Sequence, residues 1–305
     1  MEIIYYNSNL QFENLGVTIG AYDGIHNGHI KIFKTLSELD IPKAVISFDI
    51  HPDYVLNKRK DFGNVLTNEE KANILSLYNI DYLILLNKDI LNLSYDEFNK
   101  VLIKLGVSTI VVGEDFRYGK NALGSVETLK DFNLIKVGLL MDNNVKLSSN
   151  TIREYLTQGK VDELEKYGFN LFEVSGVVTK GAGLGHKLGF PTANLSLKDK
   201  YSNIRKGVYA VEVYINDTNI NNTYKYIGVC NVGVNPTVNT QDKIRLEVFL
   251  INENIDLYNK EIRVVFKKFI RDEKKFDSVE ELVKQINSDV NCTINYLGDK
   301  VWKLQ

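Results

Sequence analysis

The chain has 305 residues, of which 44% are hydrophobic, and a formal net charge of -2. This length and apolar content predict two globular domains with sizeable cores. The near-neutral charge and the lack of a long apolar segment argue against a nucleic-acid or membrane partner. Two isolated cysteines and an N-terminus without leader features predict a cytoplasmic protein that lacks disulfides and structural zinc.

In the first half of the chain, short β-branched runs alternate with helical segments. The predicted strands are GVTIGA, KAVISF, YLILL and TIVVG, and the predicted helices cover about 28–39, 68–78 and 94–105, with more than one helix near 150–166. This alternation is typical of a parallel sheet with helical crossovers. Ligands of such sheets bind beyond the carboxyl ends of the strands, and GAYDGIHNGH (residues 20–29) follows the first predicted strand.

The second half of the chain changes to a period of two. VYAVEVYI, YKYIGVCNVGV, IRLEVFL and EIRVVFKKFI are predicted strands, separated by polar turns and followed by a helix near 278–289. This pattern predicts an antiparallel barrel or sandwich. The change of pattern places the boundary near Tyr167 to Phe172, so we expect one domain over 1–168 and another over 172–305.

The first functional candidate is the pair His26 and His29 at the start of a predicted helix. The free N–H groups and the dipole of a helix N-terminus favour an anion, and Gly24 and Gly28 would let a phosphate approach the backbone closely. The pair could instead simply pack together, or form an H-x-x-H metal site. A metal site needs a further ligand, and only two more histidines and two scattered cysteines remain, so a phosphate site is favoured.

GAYDGIHNGH resembles the opening motif of the H-x-G-H nucleotidylyltransferase superfamily. KLSSNTIREYLTQGKV (146–161) resembles its second element, a serine-rich turn before a helix that reaches the triphosphate, although alone it would be interpreted as a serine-capped helix. SFDIHP (47–52) and VVGEDFRYGKNALG (111–124) match elements of the adenylyltransferase half of bifunctional riboflavin kinase/FAD synthetase, in which a Phe is common at the position of Tyr22 and a Pro is usual at that of Ile50. The resemblance assigns to this ATP site Gly20, Asp23, Gly24, His26, Gly28, His29, Asp115, Ser148, Ser149 and Arg153.

GAGLGHKLGFPTANL (181–195) resembles the riboflavin kinase signature of the same family, a glycine-rich flap followed by Pro-Thr-Ala-Asn. It is not a P-loop, because His186 stands where the second glycine of that motif belongs. KGVYAVEV, IGVCNVGVNPTV, RLEVFLI and FIRDEKKFDSVEELVKQI follow in the order that the family shows, so the resemblance covers essentially the whole chain. It implies a Rossmann-like nucleotidylyltransferase domain, then a six-stranded antiparallel barrel with a C-terminal helix.

The resemblance also implies the chemistry. Riboflavin and ATP would give FMN, and FMN and ATP would give FAD and pyrophosphate, with Mg²⁺ as cofactor. Glu247 would be the base of the kinase, His26 and His29 would stabilise the departing pyrophosphate, and Thr192 and Asn194 would supply the oxygen ligands that Mg²⁺ prefers. The residues assigned to ATP or flavin in the kinase site are Gly181, Gly183, Gly185, Lys187, Gly189, Pro191, Thr192, Asn194 and Arg271.

Less specific interpretations exist for each of these residues. Thr192 could be a strand hydroxyl bonded to backbone, Glu247 an outward-facing strand residue, and Arg271 part of a solvated charge run. At the level of the whole protein, the alternatives are a nucleotidyltransferase for another phosphorylated alcohol and a non-catalytic flavin-binding regulator. The PTAN barrel argues against the first, and the presence of His29, Thr192 and Glu247 argues against the second. Small-molecule substrates are the only predicted partners, and the oligomeric state stays open.

Overall fold

A computed structural model divides the chain into two units, Met1–Thr151 and Ile152–Gln305. It describes residues 1–56, 65–138, 141–142, 145–146, 148–167, 172–180, 185, 188–196, 204–217, 222–234, 244–253 and 255–301. Within these ranges, no helix has the length and apolar character needed to cross a membrane. Cys230 and Cys292 are both free thiols.

The described residues of the first unit include ten strands and five α-helices. The strands are β1 (Glu2–Tyr5), β2 (Leu15–Ile19), β3 (Lys43–Phe48), β4 (Tyr82–Leu86), β5 (Val107–Gly113), β6 (Arg117–Tyr118), β7 (Gly124–Ser125), β8 (Asn133–Val137), β9 (Met141–Asp142) and β10 (Val145–Lys146). The helices are α1 (Asn27–Ser37), α2 (Pro52–Val55), α3 (Asn68–Ser76), α4 (Tyr95–Leu105) and α5 (Ser149–Gln158), the last of which continues into the second unit.

Six of these strands form a parallel sheet in the order β1-β4-β3-β2-β5-β8. The chain passes from β2 to β3 and β4 on one side and reaches β5 and β8 on the other, so the strand order reverses between β2 and β5. In open sheets the crevice beyond the carboxyl ends of the strands at such a reversal is the usual ligand site. The loops after Ile19 and Gly113 both leave the sheet at that position.

Local signals define the helices of this unit. Thr67 with Glu70, and Ser94 with Glu97, form reciprocal capping boxes at the starts of α3 and α4, and α4 ends at Gly106 with a left-handed φ of 87°. The predicted helices 68–78 and 94–105 therefore closely match the observed ones. The helices predicted near 150–166 are observed as two segments, since α5 ends at Gln158, Gly159 takes a φ of 76°, and a 3₁₀ helix follows over Val161–Tyr167.

The second unit is a closed antiparallel barrel. Its strands are β11 (Glu173–Thr179), β12 (Thr192–Ser196), β13 (Gly207–Asp217), β14 (Asn222–Val234), β15 (Ile244–Leu250) and β16 (Glu261–Arg271), in the closed order β11-β12-β15-β14-β13-β16. The α6 helix (Val279–Val301) packs against β13 and β14. The predicted fold, a Rossmann-like sheet followed by a six-stranded barrel and a C-terminal helix, is confirmed.

The predicted end of the C-terminal helix at residue 289 is wrong, because α6 continues to Val301. Thr293 and Leu297 are fully buried, so the apolar face that begins before Asp289 continues for two further turns. The predicted boundary between the domains falls on residues 168–171, which lie outside the described residues.

Candidate functional sites

A cavity of about 330 Å³ lies in the first unit, beyond the carboxyl ends of β2 and β5. Its walls come from the loop after β2, the first turn of α1, the loop after β5 and the start of α5. Seven of the residues predicted for the ATP site line it, namely Gly20, His26, Gly28, His29, Asp115, Ser148 and Ser149. The structure thus brings together the opening motif and the serine-rich turn, which are more than a hundred residues apart in sequence.

His26 and His29 occupy the N-terminal end of α1, as the sequence predicts. His26 is the N-cap, and its Nδ1 accepts a hydrogen bond from the Gly28 backbone N–H at 3.2 Å. The His29 Nδ1 lies 3.1 Å from the Gly24 carbonyl oxygen, which can only accept, so this nitrogen carries the proton. Burial, and secondarily the neighbouring His26, lower the pKa of His29 from its ordinary 6.5 to about 3.

The Gly24 carbonyl also joins the two motifs. The Ser149 hydroxyl donates to it at 3.3 Å, so one carbonyl contacts both His29 and the first residue of α5. Ser148 caps α5, since its hydroxyl accepts from the Thr151 backbone N–H at 3.3 Å. Ser148 therefore both caps α5 and lines the cavity.

Three residues predicted for this site, Asp23, Gly24 and Arg153, are not among those that line the cavity. The buried Asp23 carboxylate accepts from the backbone N–H groups of Val65 at 2.9 Å and Leu66 at 3.4 Å, which ties that segment to the loop after β2. Arg153 is buried on α5, just beyond the residue at which the first unit ends.

Tyr22 was not predicted for the site, but it lines the cavity with a left-handed φ of 45°. Its hydroxyl lies 2.6 Å from the buried Thr18 hydroxyl, and its ring meets the His29 ring edge-on at 4.9 Å between centroids. Burial raises the pKa of Tyr22. The position of this residue inside the opening motif was the available signal.

A second cavity, of about 310 Å³, lies in the barrel unit. Thr192, Glu247 and Arg271 line it, together with Gly185. Asn231, Phe276 and Asp289 also line it and were not predicted. Asn231 lies opposite Glu247 in the β14–β15 pairing, so its place in the cavity could be predicted only from the strand register of the barrel.

Glu247 has one polar neighbour on the adjacent strand β12 and another on its own strand. Asn194 on β12 is its register partner, and the Arg245 guanidinium, two residues before it, lies 2.7 Å from the Glu247 Oε1. The Arg245 Nε and Nη2 both donate to the Asn194 Oδ1, the former at 3.0 Å. Asn194 is buried and is not one of the residues that line the cavity. Glu247 therefore lines the cavity within a polar cluster, with its side chain 32% exposed.

The glycine-rich segment is described only in part. Gly181, Gly183 and Lys187 lie outside the described residues. A Cβ on Gly185 would lie 2.4 Å from the Phe190 carbonyl oxygen and 3.3 Å from the Thr192 hydroxyl, so only glycine fits this tight turn beside the cavity. Gly189 has a left-handed φ of 85° in the same turn, and neither it nor Pro191 is among the lining residues.

Two family models match the chain, FAD synthetase over residues 9–153 and riboflavin kinase over residues 169–297. The bifunctional riboflavin kinase/FMN adenylyltransferase of Buchnera aphidicola subsp. Schizaphis graminum is 34% identical over 303 residues, covering 93% of this chain and 95% of the relative. The Bacillus subtilis protein of that description is 32% identical over 298 residues, covering 93% and 92%. A crystal structure described as a macrolide-efflux protein from Streptococcus pneumoniae superposes with a TM-score of 0.83 at 30% identity, covering 96% and 99%.

Proposed function

Because the chain belongs to the bifunctional riboflavin kinase/FMN adenylyltransferase family, we propose that each of its two cavities carries out one of the two reactions. The protein phosphorylates riboflavin to FMN with ATP, and it transfers the adenylyl group of a second ATP to FMN, giving FAD and pyrophosphate. We assign adenylyl transfer to the cavity beyond β2 and β5 and phosphoryl transfer to the barrel cavity. The observation that carries this assignment is the convergence of the two histidines and the two serines on the first cavity.

Adenylyl transfer needs charge stabilisation more than it needs a base. The FMN phosphate is already an anion when it attacks the α-phosphorus, and negative charge accumulates on the departing pyrophosphate. The N-terminal ends of α1 and α5 meet at this cavity, which favours an anion there. In its neutral form His26 carries its proton on Nε2 and can donate to phosphate oxygen, because its Nδ1 already accepts from Gly28.

His29 has the opposite arrangement. Its Nδ1 donates to Gly24, so in the neutral ring the Nε2 carries a lone pair. A phosphate oxygen near that nitrogen favours protonation, because the imidazolium is attracted to the anion. We assign His29 as the group that becomes cationic when the triphosphate binds.

Phosphoryl transfer to riboflavin needs a base, since the nucleophile is a neutral alcohol. The ribityl hydroxyl oxygen attacks the γ-phosphorus, the bond to the β-phosphate oxygen breaks, and ADP leaves. We assign the hydroxyl proton to the Glu247 Oε2, since Oε1 pairs with Arg245. Arg271 is assigned to the flavin side of the same cavity.

The donor groups of the barrel cavity suit Mg²⁺ in part. Thr192 lines the cavity and offers a hard hydroxyl oxygen, the ligand type that Mg²⁺ prefers beside nucleotide phosphates. The Asn194 Oδ1 accepts from Arg245, so this oxygen becomes a metal ligand only after exchanging that donor. When bound, Mg²⁺ would neutralise phosphate charge. We therefore propose Thr192 as the ligand, and Asn194 as one that joins when Arg245 withdraws.

Two ATP analogues test the assignment of the two bond cleavages on the unmodified protein. ATP with a methylene group between the β- and γ-phosphorus cannot give up its γ-phosphoryl group, whereas its α–β linkage is intact. With this analogue and Mg²⁺, chromatography should detect FAD from FMN but no FMN from riboflavin. ATP with the methylene between the α- and β-phosphorus should give the reverse. Loss of both products with either analogue would contradict two separate reactions.

A further inference from the structure

An ion pair between a partly buried arginine and a buried aspartate connects the end of β16 to the middle of α6. The Arg271 Nε lies 3.0 Å from the Asp289 Oδ1, and its Nη2 lies 2.8 Å from the Oδ2. Asp289 is 2% exposed, and its Oδ1 also accepts from the Gln285 amide at 3.0 Å. The Arg271 Nη1 donates to the Asp272 carbonyl oxygen at 3.0 Å. One edge of the guanidinium is thus fixed by the helix, and the group has little freedom to rotate.

Both members of the pair line the barrel cavity. Leu282 and Ile286 of the same helix and the Phe276 ring line it as well, so α6 supplies an apolar wall beside the guanidinium. A buried ion pair contributes little net stability compared with apolar side chains of similar volume. The pair does, however, hold the Arg271 guanidinium in a fixed orientation beside the apolar wall of the cavity.

We propose that Asp289 is a positioning residue of the kinase site, which holds Arg271 in place to bind the uncharged flavin. This inference rests on the proposed function of the barrel cavity. Riboflavin offers carbonyl oxygens and no charge, and an arginine without a counter-ion would instead favour an anion. Asp289 neutralises Arg271 while leaving it able to donate, which adjusts the cavity to riboflavin and against its phosphorylated product.

Among the residues that the structure describes, three further charged groups line the cavity, namely Glu247, Glu273 and Lys274. Two are carboxylates and one is an ammonium, so these groups do not add a net positive charge. Removing the Asp289 charge therefore leaves the Arg271 charge with less compensation inside the cavity. The expected consequences are weaker binding of riboflavin, because Arg271 loses its fixed orientation, and relatively stronger binding of FMN.

The test compares Asp289→Asn with Asp272→Asn. The Asp272 carboxylate also binds an arginine through both oxygens, since the Arg205 Nε and Nη2 donate to its Oδ1 and Oδ2 at 3.0 and 2.8 Å. The Asp272 side chain is 66% exposed, however, and is not among those that line the cavity. Kinase activity is measured with ATP carrying the α,β-methylene group, so that FMN is not consumed. For Asp289→Asn we expect the KM for riboflavin to rise about 10- to 100-fold, the usual effect of losing a charged hydrogen bond, with kcat close to the parent value.

The inhibition constant of FMN, relative to the KM for riboflavin, should fall in Asp289→Asn and stay unchanged in Asp272→Asn. A purely structural role for Asp289 would lower kcat or the melting temperature without changing this ratio. A riboflavin KM and an FMN ratio both near the parent values in Asp289→Asn would overturn the inference. Because the single substitution leaves the partly buried Arg271 charge without its carboxylate, the double variant Arg271→Met/Asp289→Leu provides a second test.

The double variant removes both charges and should melt near the parent temperature while binding riboflavin weakly. Parent-like riboflavin binding in this variant would also overturn the inference. Glu247→Gln distinguishes this failure from a failure of the proposed function. If Glu247→Gln abolishes FMN formation but Asp289→Asn changes nothing, only the positioning role is wrong. If Glu247→Gln has no effect, Glu247 is not the base and the proposed kinase mechanism is wrong as well.

Discussion

The imidazole rings of His26 and His29 stack with their centroids 3.8 Å apart and their planes 22° from parallel. Two protonated rings at this distance would repel each other strongly, so the stack is stable only while at least one ring is neutral. The hydrogen bonds of the pair are complementary, since the Nδ1 of His26 accepts and the Nδ1 of His29 donates. In the free protein His29 is therefore the neutral ring of the stack, which an arriving anion can protonate.

The first prediction concerns the dependence of stability on pH. The pKa of His29 is about 3 when folded, below its ordinary 6.5, so between these values only the unfolded chain binds this proton. The free energy of unfolding should thus fall as the pH drops from 6.5 toward 3. His29→Asn keeps a donor for the Gly24 carbonyl but cannot titrate. Its free energy of unfolding, measured with urea at several pH values, should therefore fall less with decreasing pH than that of the parent. Parallel curves would contradict a depressed pKa.

The second prediction concerns the role of His29 in adenylyl transfer. Replacing it with alanine removes a group that stabilises developing charge, a loss that typically reduces turnover by about 10²- to 10³-fold. FMN-to-FAD conversion should fall by this amount in His29→Ala, whereas riboflavin-to-FMN conversion should stay near the parent rate. Lys34→Ala, at an exposed position of the same helix, is the control and should retain both rates. An equal loss of both activities in His29→Ala would indicate a folding role.

A third prediction separates the ring of Tyr22 from its hydroxyl. Tyr22→Phe leaves the buried Thr18 hydroxyl without its partner, so it should destabilise the protein by about 1–3 kcal/mol. The ring contact with His29 is retained, so FAD formation should change little. Tyr22→Leu, which removes that ring, should reduce FAD formation. Thr18→Val combined with Tyr22→Phe should be more stable than Tyr22→Phe alone, as chemical denaturation can measure; a less stable double variant would exclude the bond as the cause.

The fourth prediction tests the metal ligand. Thr192→Val keeps the side-chain shape but removes the hydroxyl that faces the cavity. The Mg²⁺ concentration for half-maximal FMN formation should rise by at least about 10-fold, the effect typical even of outer-shell changes. The Mg²⁺ requirement of FAD formation should stay the same, because that reaction is assigned to the other cavity. An unchanged requirement for FMN formation would remove Thr192 from the proposed metal site.

Much of the first cavity could be predicted because its residues lie in short motifs. His26, Gly28 and His29 lie within ten residues of the end of β2, and the serine-rich turn directly precedes a helix. The contact that joins the two motifs could not be predicted, since it runs through the Gly24 carbonyl, a backbone group without a residue-type signal. Tyr22 was visible as a departure from the family, but its partner Thr18 is an ordinary residue of a buried strand.

The barrel cavity was less predictable for a physical reason. Asn231 lies beside Glu247 because the two strands pair in that register. Asp289 binds Arg271 from the buried face of α6. Sequence periodicity identifies strands but does not give their register in a closed barrel. The helix was predicted to end at residue 289, so the position of Asp289 in mid-helix was not apparent. The edge strands β1 and β8 were missed because β1 has no buried residue and β8 has only one, so neither gives a strong apolar signal.

The division of labour between the cavities is tested most directly by Glu247→Gln. Glutamine keeps the size of the side chain and an oxygen that can accept from Arg245, but it cannot take the ribityl proton. FMN formation should fall by roughly 10²- to 10⁴-fold, the usual contribution of a positioned base, with riboflavin binding and FMN-to-FAD conversion unchanged. Glu261→Gln, at an exposed position at the start of β16, should keep both rates. FMN formation by Glu247→Gln within a few-fold of the parent rate would show that Glu247 is not the base and would contradict the proposed kinase mechanism.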